Sequence, residues 1–219
     1  MLQKWNNSWM ISNTPRIRNY LLPGLLAVLI GCSQKAPVAE ITKQPLAQQL
    51  IMTPEVIEEN AKHEKQNLYQ LGLDALKSHD YDNAKTLFMQ FIETYPGIAS
   101  AYVNLALIAY RQEDFKTTEI LVAQAIGINP SQAQAYHLRA QLHLNNGDIK
   151  KARDDYIQAI TLKQGYTNAH YNLALLYDIY LQEIELAIEQ YSIYLSLLDK
   201  EDEATKDWTE HLRKAINNG

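Results

Sequence analysis

The six histidines of this chain are the residues whose chemistry best suits a metal ion, but their spacing does not favour one. His137 and His143 lie six residues apart, so they do not share one face of a helix as two metal ligands would. The other four have no partner at a ligand spacing: His63, His79, His170 and His211. We therefore interpret the histidines as scattered surface or interface residues and predict no metal site.

Paired carboxylates are the other pattern that could support acid–base chemistry. Asp154 and Asp155 follow Arg153 in a predicted helix, and we interpret them as a solvated face, because a catalytic pair requires perturbed pKa values in a cleft. The eight glycines form neither a phosphate-binding loop nor a nucleophile elbow. The sequence therefore predicts neither catalysis nor a cofactor.

The elements that position these residues follow a period of 34 residues. Asp80, Asp114 and Asp148 are spaced by that period, and the sequence around them repeats in four blocks: 65–98, 99–132, 133–166 and 167–200. The eighth position of every block is small, which lets two helices approach closely: Gly72, Ala106, Ala140 and Ala174. A repeat of this length with small residues at fixed positions predicts stacked helical hairpins.

Each block divides into two helices joined by a polar turn. The apolar face of the first helix recurs at helical spacing, and in the first block it consists of Leu68, Leu71, Gly72 and Ala75. The aspartate after the turn is expected to cap the second helix, and Pro96 and Pro130 limit the second helices of the first two blocks. In the fourth block, Ala187 and Tyr191 fall one place late, so we expect an extra residue near 181–183 and a longer first helix.

This pattern resembles the tetratricopeptide repeat (TPR) family over residues 65 to about 199. The resemblance implies an all-α fold, a right-handed superhelical solenoid of about four helical hairpins within residues 54–199. Thr53 and Pro54 mark a predicted helix start, so a helical extension should lead into the first repeat. Residues 201–217 are predicted to form a helix that caps the last repeat and buries Trp208, with an apolar face of Ala204, Trp208, Leu212, Ala215 and Ile216.

The N-terminus carries a different signal, which ends at the only cysteine of the chain. Residues 1–19 are basic, residues 20–31 are apolar but too short to favour a membrane-spanning helix, and Cys32 follows at once. Leu29-Ile30-Gly31-Cys32 resembles the lipobox of bacterial lipoproteins. The resemblance implies a signal peptide over residues 1–31, cleavage before Cys32, and acylation of the Cys32 thiol and its new amino group. The alternative is an uncleaved anchor that contains an incidental buried cysteine.

The residue after the cysteine bears on the expected location. In lipoproteins of bacteria with two membranes, aspartate there typically retains the protein at the inner membrane, so Ser33 implies the inner face of the outer membrane. Residues 32–53 are predicted to be the lipidated cysteine and a flexible tether. The signal peptide holds three bases and no acid, so the mature chain would carry 17 bases against 25 acids, a net charge of −8. An acidic domain of this kind is a poor partner for nucleic acid.

The TPR resemblance also implies where a protein partner would bind, because the first helices line the concave side of such an array. The residues expected to face this groove are Tyr69, Leu73, Lys77, Val103, Asn104, Leu107, Arg111, His137, Gln141, Asn145, Tyr171, Asn172 and Leu175. Asn104 and Asn172 share a repeat position at which peptide-binding members of the family commonly hold the main chain of the ligand. The alternative is that these asparagines tie adjacent helices together.

Taken together, these patterns favour a non-enzymatic scaffold or adaptor for protein interactions, anchored by lipid at the outer membrane and facing the periplasm. The groove mixes tyrosine, leucine and valine with few charges, so an extended or helical protein segment is the expected ligand. Three alternatives remain open. They are a factor similar to the pilotins of type IV pilus or secretin assembly, a regulator or cofactor of a cell-wall enzyme, and a self-associating structural lipoprotein.

Overall fold

Residues 54–217, the part of the chain that this computed structural model describes, form nine α-helices and one π-helical turn, without a β-strand. The elements are α1 Pro54–Lys77, α2 Tyr81–Thr94, α3 Ala99–Arg111, α4 Phe115–Ile128, α5 Ala133–Asn145, α6 Ile149–Leu162, α7 Thr167–Leu175, the π-helical turn Leu176–Leu181, α8 Ile184–Ser196 and α9 Glu203–Asn217. The all-α class and the helical extension from Pro54 are confirmed. The predicted signal peptide, Cys32 and the predicted tether lie outside the described residues.

The helices pack as four consecutive hairpins, which pair α1 with α2, α3 with α4, α5 with α6 and α7 with α8. The small residue at the eighth repeat position explains how closely the two helices of a hairpin approach. A Cβ atom added to Gly72 would lie 2.9 Å from the ring of Phe88, which is fully buried. The counterparts Ala106, Ala140 and Ala174 are likewise buried without exposed area.

The turn inside each hairpin has one residue in the left-handed region, with φ of 62° at His79, 60° at Glu113 and 79° at Gly147. An aspartate follows, as the sequence predicts. The side chains of Asp80 and Asp114 accept hydrogen bonds from the backbone N–H groups of Asn83 and Thr117, which caps α2 and α4.

Asp148 occupies the same N-cap position of α6, but its side chain does not cap the helix. Its carboxylate instead accepts a hydrogen bond of 2.9 Å from Lys151 Nζ and lies 3.8 Å from His143 Nδ1. The hydrogen bond from Lys151 lowers the pKa of Asp148. The expected cap is therefore wrong at this aspartate, because the Lys151 ammonium group competes with the backbone for its oxygens.

The extra residue of the fourth hairpin lies in the π-helical turn, which holds more residues per turn than an α-helix. The first helix of this hairpin therefore continues to Leu181. Gln182 then takes the left-handed turn position with φ of 55°, and Glu183 stands at the N-cap of α8 without a capping hydrogen bond. The longer first helix is confirmed, but the extra residue lies in the π-helical turn Leu176–Leu181 and not in the turn near 181–183 where it was expected.

The apolar faces of the first helices are not buried equally in all repeats. Leu105 and Leu173 are 5% and 2% exposed, whereas Leu71 at the same repeat position is 49% exposed, which contradicts its predicted core role. Leu105 belongs to a core cluster with Phe88 and Phe91 of the preceding repeat. Leu71 is exposed because no repeat precedes it within the described residues.

The C-terminal helix α9 covers the last hairpin with a face that differs from the predicted one. Leu212 is buried as expected, but the other buried residues are Thr205 and Thr209, while Trp208 is 46% exposed. Threonine can be buried here because its hydroxyl hydrogen bonds stay local: Thr209 donates to the Thr205 carbonyl, and Thr205 donates to Asp202. The prediction that Trp208 is buried is therefore wrong, and Ala204, Ala215 and Ile216 are exposed as well.

Candidate partner-binding surface

The first helices of successive repeats lie side by side and are tied by hydrogen bonds between residues 35 positions apart. We call the surface formed by residues 65–77, α3, α5 and α7 the first-helix face. Each tie joins an asparagine amide to an aromatic side chain of the preceding repeat. The three distances are 3.1 Å from Asn104 Nδ2 to Tyr69 Oη, 3.2 Å from Asn145 Nδ2 to Tyr110 Oη, and 2.9 Å from Asn172 Nδ2 to His137 Nε2.

These ties support the second interpretation of Asn104 and Asn172, that they link adjacent helices. In both, one hydrogen of the amide nitrogen is already used in the preceding repeat, so the side-chain oxygen and the second amide hydrogen remain for the main chain of a bound segment. The ligand-holding role of the two residues stays a prediction.

His137 is buried rather than displayed, with 9% of its area exposed. Its ring packs against Tyr156 and Tyr166, at centroid distances of 5.6 and 5.0 Å. Burial lowers the pKa of His137 to about 4, an effect that a hydrogen bond with the Asn168 backbone opposes. The neutral imidazole can accept the Asn172 amide hydrogen, but its small exposed area leaves little surface for a partner.

His170 and Val103 are buried too, at 4% and 8% exposed. His170 lies between two polar groups, with Nδ1 2.8 Å from Gln190 Oε1 and Nε2 2.8 Å from the Gln164 carbonyl oxygen. The groove position predicted for His137 and Val103 is therefore wrong, since both side chains are buried. His170, expected at the surface or at an interface, lies between helices.

The remaining predicted groove residues do lie at the surface of the first-helix face. Half-buried members form a row of aromatic, aliphatic and amide side chains, and the fully exposed members include two cations. The half-buried residues are Tyr69, Leu73, Asn104, Leu107, Gln141, Tyr171, Asn172 and Leu175, and the exposed ones are Lys77, Arg111 and Asn145. No carboxylate occurs among these eleven positions, although the chain is acidic as a whole.

A groove opens at the N-terminal end of this face, between α1 and the residues that join α2 to α3. Its lining includes the apolar side chains of Tyr69, Phe91 and Ile98 and the cationic side chains of Lys62 and Lys65. Lys65 Nζ also lies 5.2 Å from the ring centroid of Tyr95, which holds the cation against an aromatic surface.

The third repeat contains an ionic cluster that the sequence interpretation missed. Asp155, expected on a solvated face, is 7% exposed and accepts hydrogen bonds of 2.7 and 2.6 Å from Arg139 Nε and Nη2. His143 Nε2 lies 3.6 Å from the same carboxylate. The hydrogen bonds to Asp155 raise the pKa of Arg139.

The alignment of the repeats contains a pattern from which this ionic cluster could have been predicted. Arg139 and Asp155 occupy two positions that are leucine in the first two repeats, as Leu71 with Leu87 and Leu105 with Leu121. Opposite charges that replace leucine at two positions of one hairpin indicate a pair across that hairpin. Asp154, by contrast, is exposed and pairs with its neighbour Arg153, as a solvated face predicts.

Neither metal binding nor membrane crossing is indicated in the described part of the chain. Within residues 54–217, no three histidine, cysteine or acidic side chains stand where they could share a metal ion. In the same range, no helix combines the length and apolar character needed to span a bilayer.

The comparisons with known proteins identify the repeats. Residues 69–133 and 133–166 match two family models that are both described as tetratricopeptide repeat, so residues 69–166 carry TPR repeats. Repeats of this type imply a scaffold for protein interactions, and the fold is typically non-catalytic. No curated protein matches the chain in sequence.

Several solved structures share the fold. The chain is similar to Pseudomonas aeruginosa pilF, with a TM-score of 0.62 and 18% identity over 72% of this chain and 71% of that one. The chain is also similar to TTC0263, a TPR protein of Thermus thermophilus, with a TM-score of 0.58 and 21% identity over 72% of this chain and 85% of that one. A third similar structure is the first TPR of Spaghetti (RPAP3) bound to the HSP90 peptide SRMEEVD. Its TM-score is 0.50, with 21% identity over 53% of this chain and 94% of that one. At these identities the likenesses show the fold alone.

Proposed function

We propose that this chain is a non-enzymatic scaffold that binds a protein segment on its first-helix face while a lipid on Cys32 anchors it to the periplasmic side of the outer membrane. The observation that carries the binding part is the set of half-buried tyrosine, leucine and amide side chains on first helices that the asparagine hydrogen bonds tie together. Such a surface offers apolar area and hydrogen-bonding groups in a preformed arrangement, which limits the entropy lost on binding.

Glutamine substitutions on this face test the binding site with little risk to the fold. Leu107 and Leu175 share a repeat position with Gln141, so the third repeat already tolerates glutamine there. Leu107→Gln together with Leu175→Gln should abolish crosslinking to the partner in intact cells, because the polar side chains remove apolar contact from the centre of the site. The partner is identified by mass spectrometry of the wild-type crosslink.

The matched control places the same change on the opposite helices. Ile120 and Ile157 of the second helices are 52% and 42% exposed, so Ile120→Gln with Ile157→Gln alters a similar apolar area away from the first-helix face. This variant should crosslink as the wild type does. Loss of the crosslink in the control variant, with retention in the Leu107 and Leu175 variant, would transfer binding to the second helices and refute the proposal.

The anchor is tested separately at Cys32. The support for it is the lipobox-like Leu29-Ile30-Gly31-Cys32 after a basic and an apolar segment. Cys32→Ala should yield an uncleaved precursor that lacks the mass of the acyl chains, as measured by intact-protein mass spectrometry and membrane fractionation. An alanine variant with the mass of the wild-type product in the outer-membrane fraction would eliminate the lipid anchor.

The proposed location at the outer membrane rests on Ser33, the residue after the lipobox cysteine. Ser33→Asp should shift the protein to the inner-membrane fraction, if the chain follows the sorting pattern that its lipobox resembles. A protein that stays in the outer-membrane fraction with aspartate at position 33 would contradict this part of the proposal and leave the binding site unaffected.

A further inference from the structure

Trp208 on α9 is an exposed aromatic residue that is nevertheless held in a fixed position. Its indole Nε1 donates a hydrogen bond of 2.7 Å to Asp178 Oδ2 in the π-helical turn. One face of the ring stacks on His211, at a centroid distance of 5.4 Å and an interplanar angle of 23°. With 46% of the residue still exposed, the indole presents surface to solvent, and its two contacts reduce the rotational freedom that it would lose on binding.

Asp178 lacks a cationic partner in the described part of the chain. Its Oδ2 accepts the Trp208 hydrogen bond and a second one of 3.2 Å from the Tyr191 hydroxyl, and both donors are neutral. No lysine, arginine or histidine among residues 54–217 lies within ion-pair distance of it. The side chain is half-buried, so its negative charge is partly shielded from water and remains uncompensated.

The surrounding segment has the same sign of charge. Residues 176–217 contain ten carboxylate side chains and four basic ones, and two of these bases already have carboxylate partners. Lys206 pairs with Glu201 and Glu203, and Arg213 pairs with Glu210. The field at the C-terminal end of the solenoid therefore favours a cationic ligand.

We propose that Trp208 and Asp178 form a subsite for an arginine or lysine side chain of the protein partner, with the cation over the exposed indole face and its charge paired with Asp178. This inference rests on the proposed binding function and names a charge that the partner segment must carry. Cations bind to the faces of tryptophan rings, and arginine also pairs with a carboxylate through its planar group.

Continuity with the first-helix face supports this position. Tyr171, a half-buried residue of that face, packs against Tyr191 and Tyr194 at centroid distances of 6.1 and 4.9 Å. Tyr191 in turn donates to Asp178, which holds Trp208. Packed side chains therefore connect the subsite to the first-helix face, with Tyr191 itself buried between them.

The fluorescence of Trp208 reports directly on this subsite. The chain has three tryptophans, and the proposed cleavage before Cys32 removes Trp5 and Trp9, so the mature protein has Trp208 as its one indole. The probes are acetyl-Gly-Arg-Gly-Arg-Gly amide and its glutamate counterpart at constant ionic strength. The arginine peptide should change the Trp208 emission with a saturable dependence on concentration, and the glutamate peptide should leave it unchanged.

Two substitutions separate the subsite from general electrostatics. Asp178→Asn keeps an oxygen that can accept the indole hydrogen but removes the charge, so it should weaken arginine-peptide binding about tenfold, which corresponds to about 1.4 kcal/mol. Asp207→Asn removes an exposed charge next to Trp208 in sequence, and its effect should be within about twofold of no change. Equal weakening by both variants would overturn the subsite.

A third variant keeps the subsite testable even where Asp178→Asn unfolds the C-terminal helix α9. Tyr191→Phe removes one donor from Asp178 and keeps the carboxylate, so the arginine peptide should bind at least as tightly as to the parent protein. No response to the arginine peptide in the parent or in Tyr191→Phe overturns the inference.

Lipid vesicles test whether the exposed indole contacts a membrane instead of a basic side chain of the partner. A blue shift of Trp208 emission with zwitterionic vesicles that exceeds the arginine-peptide response would assign the exposed indole to membrane contact and overturn the inference. Any of these failures leaves the proposed function intact as long as crosslinking still depends on Leu107 and Leu175. Loss of that dependence refutes the proposed function independently of Trp208.

Discussion

Replacement of Arg139 and Asp155 by leucine, singly and together, measures the free energy of the ionic pair in the third repeat. The two hydrogen bonds of 2.7 and 2.6 Å join side chains that are 38% and 10% exposed. Removal of one partner from a buried pair costs about 3–5 kcal/mol. Because Arg139 is partly solvated, we expect the free energy of unfolding to fall by about 2–3 kcal/mol in Arg139→Leu and by a similar amount in Asp155→Leu.

The double variant recreates the leucine pair that the first two repeats have at the same positions. Well-packed apolar residues often replace a buried ion pair at no cost, so Arg139→Leu with Asp155→Leu should be within about 1 kcal/mol of the wild type. The sum of the two single effects would then exceed the double effect by at least about 3 kcal/mol, which is the coupling energy of a double-mutant cycle.

Urea titration followed by far-UV circular dichroism gives the free energies, and hydrogen exchange in residues 133–166 shows whether the third repeat opens first. Arg153→Leu is the control, since Arg153 pairs with the exposed Asp154 and should contribute less than about 1 kcal/mol. Additive single effects, with a coupling energy below about 0.5 kcal/mol, would refute a cooperative pair and the reasoning from burial.

Two further predictions concern the helix contact at Gly72 and the buried histidine. Gly72→Ala should lower the free energy of unfolding by about 1–3 kcal/mol in the same titration, because the new Cβ would meet the buried Phe88 ring at 2.9 Å; a gain in stability would contradict this contact. Burial lowers the pKa of His137 to about 4, so between pH 6.5 and 4 the unfolded state binds more protons, and stability should fall by about 3 kcal/mol as the pH decreases through this window. His137→Tyr, which copies the tyrosine of the first and fourth repeats, should remove that part of the pH dependence, and an unchanged dependence would contradict it.

The repeat pattern made most of the fold predictable from the sequence. The 34-residue period places the hairpins, the aspartates place the turns, and the late Ala187 and Tyr191 reveal the inserted residue of the fourth repeat. Predictions of this kind succeed because helical periodicity, turns and caps depend on residues within a few positions of one another. The lipid anchor also rests on a local motif, and it stays a prediction because Cys32 lies outside the described residues.

The candidate binding surface was predictable only in outline. Repeat position correctly placed Tyr69, Leu107, Tyr171 and Leu175 at the surface of the first helices. It did not show that His137 is buried, because the space around that ring is closed by Tyr156 and Tyr166 from other parts of the chain. Exposure depends on neighbours that a single helix does not contain.

The sequence alone therefore determined the all-α hairpin architecture and the register of the repeats, and it predicted first-helix residues as the candidate binding surface. Only the tertiary structure decided how the side chains are used: Asn104 and Asn172 tie adjacent repeats, Asp155 pairs with Arg139, and Trp208 lies exposed on Asp178. The physical reason is that the partners in these contacts are separated by 16 to 35 residues, and only packing of the hairpins brings them within hydrogen-bonding distance.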